Sequence, residues 1–343
     1  MEPRPSKLRP WIVMPSRRDV MGAIRSGLDS IFALNKASHN EAYWGNESTL
    51  ESAGTTASIL VRLADVPATL LSHSRQQAIQ NSLDWLSQAQ CHGCWQSDDL
   101  QNDDLQNDDL QKNALRNDDL QNVYRKSDCL TTALAVIALR AHGRNVPSGA
   151  LEFLAACRAG DGSFAASPDQ PAESDVVKAL AVTATASRAL EKINPITETF
   201  LVNGLGSALP VPGTCNASRF YVCSEILDWP AGQASMALLS KVSQLTIDAG
   251  KDTALAEALL LRSLLRLRIS RSWAVAARLR EMQARDGSWV QSFSSTSADL
   301  PGVPAPAHAS QAVVSATAVS ALVMADSQPG LYFGSDLPLP QRF

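Results

Sequence analysis

The stretch LREMQARDGSW, residues 279–289, contains the pattern that decides the fold of this chain. It predicts a helix that runs to Gln283 and ends where Asp286 and Gly287 turn the backbone. Asp and Gly suit such a turn because they accept left-handed geometry or bond to their own backbone. Trp289 then supplies a large apolar ring whose indole N–H needs a partner. The spacing is Leu, three residues, Gln, three residues, Gly, one residue, Trp.

Looser copies of this pattern recur along the chain and make it a repeat unit. They are Leu86-Gln90-Gly93-Trp95, Leu154-Arg158-Gly162-Phe164 and a degenerate form around Leu28, Tyr43, Trp44 and Gly45. Each copy is followed by a helix rich in small residues, found near Thr55, Thr131, Thr183 and Ser315. One further helix pair is predicted between residues 201 and 242, where residues 232–239 supply the small-residue helix and the turn signature is lost.

The helix after each turn is apolar nearly all round, as in LTTALAVIALRA at residues 130–141, which predicts burial on both sides. The helix before each turn is more polar and suits an outer layer. An inner and an outer layer of paired helices describe an all-α fold, an α/α toroid of about five to six helical hairpins. An open solenoid is the competing arrangement.

The repeats predict one domain over residues 20–326, flanked by two irregular segments. Residues 1–19 form a basic arm in which four prolines preclude a regular helix. Residues 327–343 form an apolar, proline-containing tail that we expect to dock on the domain, and Arg342 in this tail is a candidate substrate-binding residue.

The Gln-x3-Gly-x-Trp element, the Thr-x-Ala helix after it and their repetition resemble the squalene–hopene and oxidosqualene cyclase superfamily, over about residues 20–326. The resemblance implies the toroid that protein prenyltransferase β subunits share. It also implies a single-domain layout similar to monodomain class II terpene cyclases of the merosterolic acid synthase type. In that superfamily the aromatic–Gln elements tie the outer helices together. We therefore expect Gln283 and Trp289 to be structural.

Ser127 to Ala133, reading SDCLTTA, opens a small-residue helix where class II cyclases carry Asp-x-Asp-Asp or Asp-x-Asp-Thr-Thr. Asp128, Thr131 and Thr132 match the second form, whereas Leu130 replaces the central aspartate that protonates the substrate in the family. Protonation of an alkene needs a carboxylic acid that stays neutral, and burial raises a carboxyl pKa. Asp128 is therefore the candidate acid, with the two threonines as substrate-binding candidates. A plain N-cap is the other interpretation of Asp128.

Further candidates follow along the chain. Asp175 opens the next small-residue helix and is a second candidate acid. Tyr221 and Trp229 are candidate substrate-binding aromatics, because rings that face a cavity stabilise cations. Packing at a turn with an N-capped helix is the other interpretation of this stretch. Residues 254–280 are helical and rich in arginine, which predicts a solvated outer helix or a site for a substrate's phosphate or carboxylate.

Residues 98–121 read DDLQNDDLQNDDLQKNALRNDDLQ, a tandem repeat of five residues. A period of five fits neither one helix face nor a strand, so its Asp pairs would point in different directions. We interpret it as a solvated loop. A lid, or a Mg²⁺ role for Asp103-Asp104 or Asp108-Asp109, remains the alternative, and no other cofactor is expected.

Composition and sequence patterns limit the class of protein to which the chain can belong. No apolar run reaches the roughly 18 residues that would span a bilayer, and the basic N-terminus lacks an apolar signal core. The six cysteines show no disulfide or zinc framework, which predicts a reduced, cytoplasmic protein. Nucleic-acid binding is not indicated. Peripheral membrane contact stays open, because prenyl substrates partition into lipid.

Two hypotheses follow. The first is a class II terpene or meroterpenoid cyclase that protonates the terminal alkene or epoxide of a prenyl chain and closes rings through carbocations. The second is a non-catalytic prenyl-lipid-binding toroid or a degenerate cyclase paralogue, which Leu130 favours. A zinc prenyltransferase is a third and weaker alternative, because that family carries Asp-x-Cys, whereas Asp128 and Cys129 are adjacent here and His308 alone is suitably late.

Overall fold

A computed structural model describes residues 16–38, 41–44, 52–91, 93–96, 128–170, 175–207, 216–247, 253–269, 272–290 and 311–328. Over these residues the chain is almost entirely helical, with twelve α-helices. In chain order the first six are α1 (Arg17–Ala33), α2 (Ala53–Leu63), α3 (His73–Gln88), α4 (Cys129–Ala141), α5 (Ser148–Ala156) and α6 (Val176–Leu190). The last six are α7 (Pro195–Ser207), α8 (Asn216–Leu227), α9 (Met236–Ile247), α10 (Ala254–Arg266), α11 (Ser272–Glu281) and α12 (Gln311–Ser327).

Other regular structure in the described part of the chain is small. A short 3-10 helix covers Ala68–Leu70. An antiparallel hairpin pairs β1 (Lys36–Ser38) with β2 (Glu41–Tyr43), and Lys36 lies opposite Tyr43. The sequence did not predict this hairpin, which precedes Trp44. The all-α prediction is otherwise confirmed.

The even-numbered helices form the buried layer. Each packs against the next even-numbered helix, and α12 packs against α2. The odd-numbered helices pack on this layer: α1 contacts α12, α3 contacts α2 and α4, and α11 contacts α10 and α12. The prediction that the helix after each turn is buried on both sides is therefore confirmed for α2, α4, α6 and α12.

Helix α4 shows why these segments are buried. Its side chains from Thr131 to Leu139 are all buried, and most of them are alanine or an aliphatic residue. Small side chains allow helices to approach closely, and a helix that is apolar on every side is stable only inside a protein. Asp128 caps its N-terminus, and Gly143, with φ of 69°, follows its C-terminus.

The aromatic residue of each repeat turn joins three elements. The backbone N–H groups of Trp44, Trp95, Phe164 and Trp289 donate to the hydroxyls of Thr56, Thr132, Thr183 and Ser315, each on the even-numbered helix that follows. The three indole N–H groups donate back to the helix before the turn, at the carbonyls of Ile31, Leu86 and Leu279. All four rings are at most 2% exposed. The aromatic residue of each of these turns therefore has a structural role.

The glycine of the last turn requires both its conformation and its missing side chain. Gly287 has φ of 86°, and a Cβ there would lie 2.3 Å from the carbonyl oxygen of Ser26 on α1. The Gln283 amide donates to the carbonyl of Ala23, also on α1, and to that of Gly287. Gly93 and Gly162 make equivalent close contacts with the first residues of α5 and α7. Each of these turns therefore docks on an odd-numbered helix, as expected for Gln283 and Trp289.

Three local predictions were wrong. Residues 254–280 do not form a solvated outer helix, because α10 is buried along almost its whole length and a break separates it from α11. The helix in residues 232–239 is not the buried one of its pair, because α8 has that position and Met236, at the start of α9, is 81% exposed. The arm predicted for residues 1–19 ends earlier, because α1 begins at Arg17, where Ser16 and Asp19 form a capping box.

Some predictions lie outside the described residues. These are the remainder of the N-terminal arm, the insert at 98–121, His308 and the tail with Arg342. Among the described residues, no helix combines the length and the apolar character needed to cross a lipid bilayer.

Candidate active site

The even-numbered helices bring two sets of polar residues together, one at each end. Asp128 and Asp175 are the N-caps of α4 and α6, and the Lys178 ammonium acts on the Asp128 carboxyl. We call this end the N-terminal rim, defined by Asp128, Thr131, Asp175 and Lys178. At the other end, charged side chains from the last turns of α2, α6, α8 and α10 meet. These helices therefore run in the same direction.

The carboxyl of Asp128, at the N-terminal rim, is held in place through one of its two oxygens. Its Oδ2 accepts hydrogen bonds from the backbone N–H and from the hydroxyl of Thr131, both at 2.7 Å. Its own backbone N–H donates to the carbonyl of Trp95. The repeat turn thus fixes the backbone of Asp128, and α4 fixes its carboxyl.

Burial raises the pKa of Asp128, and it outweighs the hydrogen bonds from Thr131 and the charge of Lys178, which act in the opposite direction. A carboxyl whose pKa is raised by desolvation spends more of its time neutral. Thr131 and the backbone N–H of Leu130 act on this carboxyl in the opposite direction, because they favour its ionised form. Asp128 is thus a helix cap whose carboxyl has a raised pKa.

Thr131 and Thr132 differ in their contacts. Thr131 bonds to Asp128, whereas the Thr132 hydroxyl accepts from the backbone N–H of Trp95 at 3.1 Å. Thr132 thus has the structural position that Thr56 and Thr183 have in other repeats. Leu130 is partly buried and packs against the hydrophobic core.

Asp175, the second candidate acid, is a helix cap by geometry. Its Oδ1 accepts from the backbone N–H groups of Val177 and Lys178, at 2.8 and 3.2 Å. It lies at the same rim as Asp128. The two candidate acids are thus brought to one end of the molecule, on adjacent even-numbered helices.

The opposite end holds a cluster that the sequence interpretation missed. We call it the charged cluster; it consists of Arg62, Asp65, Arg188, Glu225, Asp228, Arg262 and Arg266. Arg62 on α2 contacts Glu225 on α8 at 2.7 Å, and Arg188 on α6 contacts the other oxygen of Glu225 at 2.7 Å. Because α2 and α8 are not neighbours in the order of even-numbered helices, this contact spans the space between them.

Asp228 and Arg262 extend the cluster. Arg262 contacts Asp228 and Asp65, each at 2.6 Å, and Arg266 contacts Asp228 at 3.0 Å. The side chains of Glu225, Asp228 and Arg262 are at most 2% exposed, whereas Asp65 and Arg266 are 25% and 44% exposed. The cluster is therefore buried at its centre and most exposed at Asp65 and Arg266.

Two carboxylates of the charged cluster, Glu225 and Asp228, are held ionised. Burial alone would raise the pKa of Asp228, but Arg262 and the neighbouring guanidinium groups outweigh it and hold that pKa well below its ordinary value. The pKa of Glu225 is lowered in the same way, against its burial, by Arg188 and Arg62. These groups are poor proton donors, because the ionised form is favoured.

The two candidate aromatics have different surroundings. The indole of Trp229 is 6% exposed and donates to the carbonyl of Ala184, which ties α8 to α6. Tyr221 is partly exposed, and its hydroxyl lies 3.1 Å from that of Thr185. Because Thr185 already donates to the carbonyl of Ala181, Tyr221 is the donor in this pair. Burial raises the pKa of Tyr221, so its hydroxyl stays protonated.

Within the described part of the chain, no group of three or more His, Cys, Asp or Glu side chains is arranged to hold a metal ion. Cys91, Cys94, Cys129, Cys157 and Cys223 are free thiols. The Asp pairs for which a Mg²⁺ role was considered lie outside the described residues.

Comparison with known proteins gives information on the fold. No protein-family model matches the chain, and no curated protein matches it. A crystal structure of a protein from Actinoplanes is similar, with 18% sequence identity and a TM-score of 0.59. The match covers 89% of this chain and 99% of that chain. At this identity the likeness shows a shared fold alone.

Proposed function

We propose that the twelve helices form an α/α toroid, with the even-numbered helices as the inner layer and the odd-numbered helices as the outer one. Support comes from the order of contacts, which passes from α2 through α4, α6, α8, α10 and α12 and returns to α2. An open solenoid would leave its first and last repeats apart. In this chain the last repeat turn contacts α1 through Gln283 and Gly287 instead.

We propose that this toroid is a class II terpene or meroterpenoid cyclase with Asp128 as its general acid. The observation that carries the proposal is the state of the Asp128 carboxyl, whose pKa is raised by burial while Thr131 binds one of its oxygens. The N-cap role and the acid role are compatible, because the same oxygen serves Thr131 in both. Asp175 is the second candidate.

In the proposed reaction the O–H bond of the neutral Asp128 carboxyl breaks and a C–H bond forms at the terminal alkene, or the proton opens a terminal epoxide. The electron pair of the alkene forms the new bond and leaves a carbocation, which adjacent double bonds attack to close rings. The Asp128 carboxylate left behind is stabilised by its two donors from Thr131. A proton lost from the final cation balances the first, so cyclisation of an alkene is an isomerisation.

The substrate proposed for this site is a prenyl or isoprenoid small molecule. The reaction needs no cofactor, and Mg²⁺ enters only if the substrate carries a diphosphate. Tyr221 lies on the inner face of α8, where its ring could stabilise a cation. The free thiols suit a reducing compartment such as the cytoplasm, with peripheral membrane contact as a route to lipid-soluble substrates.

The test is incubation of the purified protein with farnesyl diphosphate, geranylgeranyl diphosphate and prenylated aromatic acids, without added metal, and analysis of the products by mass spectrometry. Wild type should yield cyclic isomers of at least one substrate. Asp128→Asn should lose activity by roughly a hundredfold to ten-thousandfold, the usual contribution of a general acid.

Asp175→Asn is the matched control, because it changes the N-cap of the adjacent helix at the same rim. Full activity in Asp128→Asn would remove Asp128 from the role of acid, and loss of activity in Asp175→Asn alone would transfer the role. The alternative is a non-catalytic prenyl-lipid-binding toroid or degenerate paralogue, favoured by Leu130 at the position of the family's central aspartate. Saturable binding of a fluorescent prenyl lipid without any conversion would support that alternative.

A further inference from the structure

Side-chain exposure on α2 and α8 ends one helical turn before the charged cluster. On α8, Tyr221 is partly exposed, whereas Glu225, four residues later, has no exposed side-chain surface. On α2, Ser58 is partly exposed, whereas the side chain of Arg62, four residues later, is only 6% exposed. Side chains four residues apart share a helix face, so both faces lose their exposure at the same level.

This exposed surface faces inward. Glu225 and Arg62 contact each other across the space between α8 and α2, so the faces that carry them point into that space. Tyr221 and Ser58 lie on the same faces, one turn nearer to the N-terminal rim. The charged cluster therefore closes one end of this space, and Tyr221 lies one helical turn from the cluster on α8.

The Tyr221 ring is held in place from both sides. Its hydroxyl donates to Thr185 on α6, and its ring packs against both hydrophobic clusters of the protein. A ring fixed at its tip and along its body presents a firm surface. Lys178 at the rim and Thr185 lie seven residues apart on α6, so roughly 10 Å of helix separates the rim from the Tyr221 level.

We propose that Tyr221 is the specificity-determining residue that sets the longest prenyl chain the protein accepts, by forming the floor of a hollow that opens at the N-terminal rim. The class of ligand rests on the proposed function. The floor itself rests on the loss of exposure along α2 and α8 and on the Tyr221–Thr185 contact. The charged cluster beneath the ring makes the floor unyielding, because hydrocarbon displacing an ion pair would leave charges buried without partners.

The proposal predicts how affinity depends on chain length. Each added isoprene unit should tighten binding while it is removed from water, by on the order of a hundredfold. Once the tail reaches the Tyr221 ring, further units stay in water or force the ring aside, and the gain stops. The experiment measures the affinities of geraniol, farnesol, geranylgeraniol and geranylfarnesol by displacement of a fluorescent farnesyl analogue. Neutral alcohols separate chain length from the charge of a head group.

Wild type should show one member of the series beyond which affinity no longer rises. Tyr221→Ala should move this limit to the next longer alcohol and tighten the binding of that alcohol by about tenfold or more. Tyr221→Phe is the matched control, because it keeps the ring and removes only the hydroxyl, and it should leave the limit where it is. Ser58→Phe, which places a ring at the same level from the opposite helix, should move the limit to a shorter alcohol.

The outcomes separate the floor from the ligand class. If the alcohols bind but Tyr221→Ala and Ser58→Phe both keep the wild-type limit, or if wild type shows no limit, Tyr221 is not the floor and the proposed function is unaffected. If none of the alcohols binds and no substrate is converted, the proposed function fails and the length limit falls with it. Should Tyr221→Ala fail to fold, Ser58→Phe decides alone.

Discussion

At the N-terminal rim the Asp128 carboxyl accepts hydrogen bonds from the neutral groups of Thr131, whereas in the charged cluster three carboxylates lie among four arginines. Burial acts in the same direction on Asp128, Glu225 and Asp228, because it raises the pKa of each. The outcome differs because guanidinium groups outweigh burial in the charged cluster and nothing of comparable strength does so at the rim. The layer of even-numbered helices thus carries a carboxyl with a raised pKa at one end and ionised carboxylates at the other.

The largest effect on stability is expected from removing one carboxylate of the charged cluster. Glu225→Ala leaves Arg62 and Arg188 facing each other without the group that both contact, and it should lower the free energy of unfolding by about 3–5 kcal/mol. Urea denaturation followed by circular dichroism measures this loss. The control is Arg266→Ala, which removes a 44% exposed partner of Asp228 and should cost no more than about 1 kcal/mol. Equal losses of unfolding free energy in the two variants would mean that the buried ion pairs stabilise the protein no more than the exposed one.

Lowering the pH should change the stability contributions of the N-terminal rim and the charged cluster in opposite directions. The folded-state pKa values of Glu225 and Asp228 are lowered, so their stabilisation is present above the ordinary carboxyl pKa of about 4 and is lost as pH falls through the lower folded values. We expect this contribution to the free energy of unfolding to be lost below roughly pH 4, by up to about 1.4 kcal/mol per pH unit for each proton taken up. The free energy of unfolding from urea denaturation should fall less steeply below pH 4 in Glu225→Gln. A loss below pH 4 that is equally steep in Glu225→Gln and in wild type would contradict the assignment.

The adjacent threonines should separate a structural role from a functional one. Thr132→Val removes the acceptor of the Trp95 backbone N–H and should cost about 1–2 kcal/mol of unfolding free energy. Thr131→Val should leave the Trp95 contact intact and instead raise the pKa of Asp128 further, because one donor to its carboxyl is lost. Its signature would be a pH–rate profile displaced to higher pH. An unshifted pH–rate profile together with a large loss of stability would show that Thr131, like Thr132, has a structural role.

The smallest effect is expected from Asp128→Asn on stability. Because the folded-state pKa of Asp128 is raised, its ionised form costs stability at neutral pH, and this cost disappears as pH falls through the folded value. The asparagine can still accept from Thr131 without a charge. Its unfolding free energy at pH 7 should match wild type or exceed it by up to about 1 kcal/mol, and the difference should vanish in acid. A clear destabilisation at pH 7 would show that the charge serves the helix cap more than burial harms it.

The repeat turns were predictable because their signal is local. A Gln, a Gly and a Trp within a few residues predict a tight turn whose aromatic side chain is buried against the preceding helix. Trp95 and Trp289 make the hydrogen bonds that this pattern implies. The hydroxyls that receive the turns were visible as threonines early in the following helices. Asp128 was found because it precedes such a helix directly.

The charged cluster was not predictable because its members are distant in sequence. Arg62, Glu225 and Arg262 belong to three helices, and nothing near any of them indicates a partner. Arginine usually indicates solvent, so the helix that carries Arg262 was assigned to the outer layer, whereas its guanidinium group is buried among carboxylates. The pair α7 and α8 was misplaced for a similar reason, since that region has lost the turn that marks the boundary in other repeats.

The contact of the last turn with α1 bears on how the chain is made. Helix α1 packs chiefly on α12, and its Gly27 leaves room for Val319 and Trp289, where a Cβ would lie 2.5 and 2.7 Å from their side chains. On the ribosome α1 emerges before the segments it packs against, and Gln283 follows Ala23 by 260 residues. The apolar face of α1 must therefore remain uncovered while the helices between are synthesised, in reach of chaperones. A circular permutant that begins at α11 and joins α12 to α1 through a linker would release these partners together.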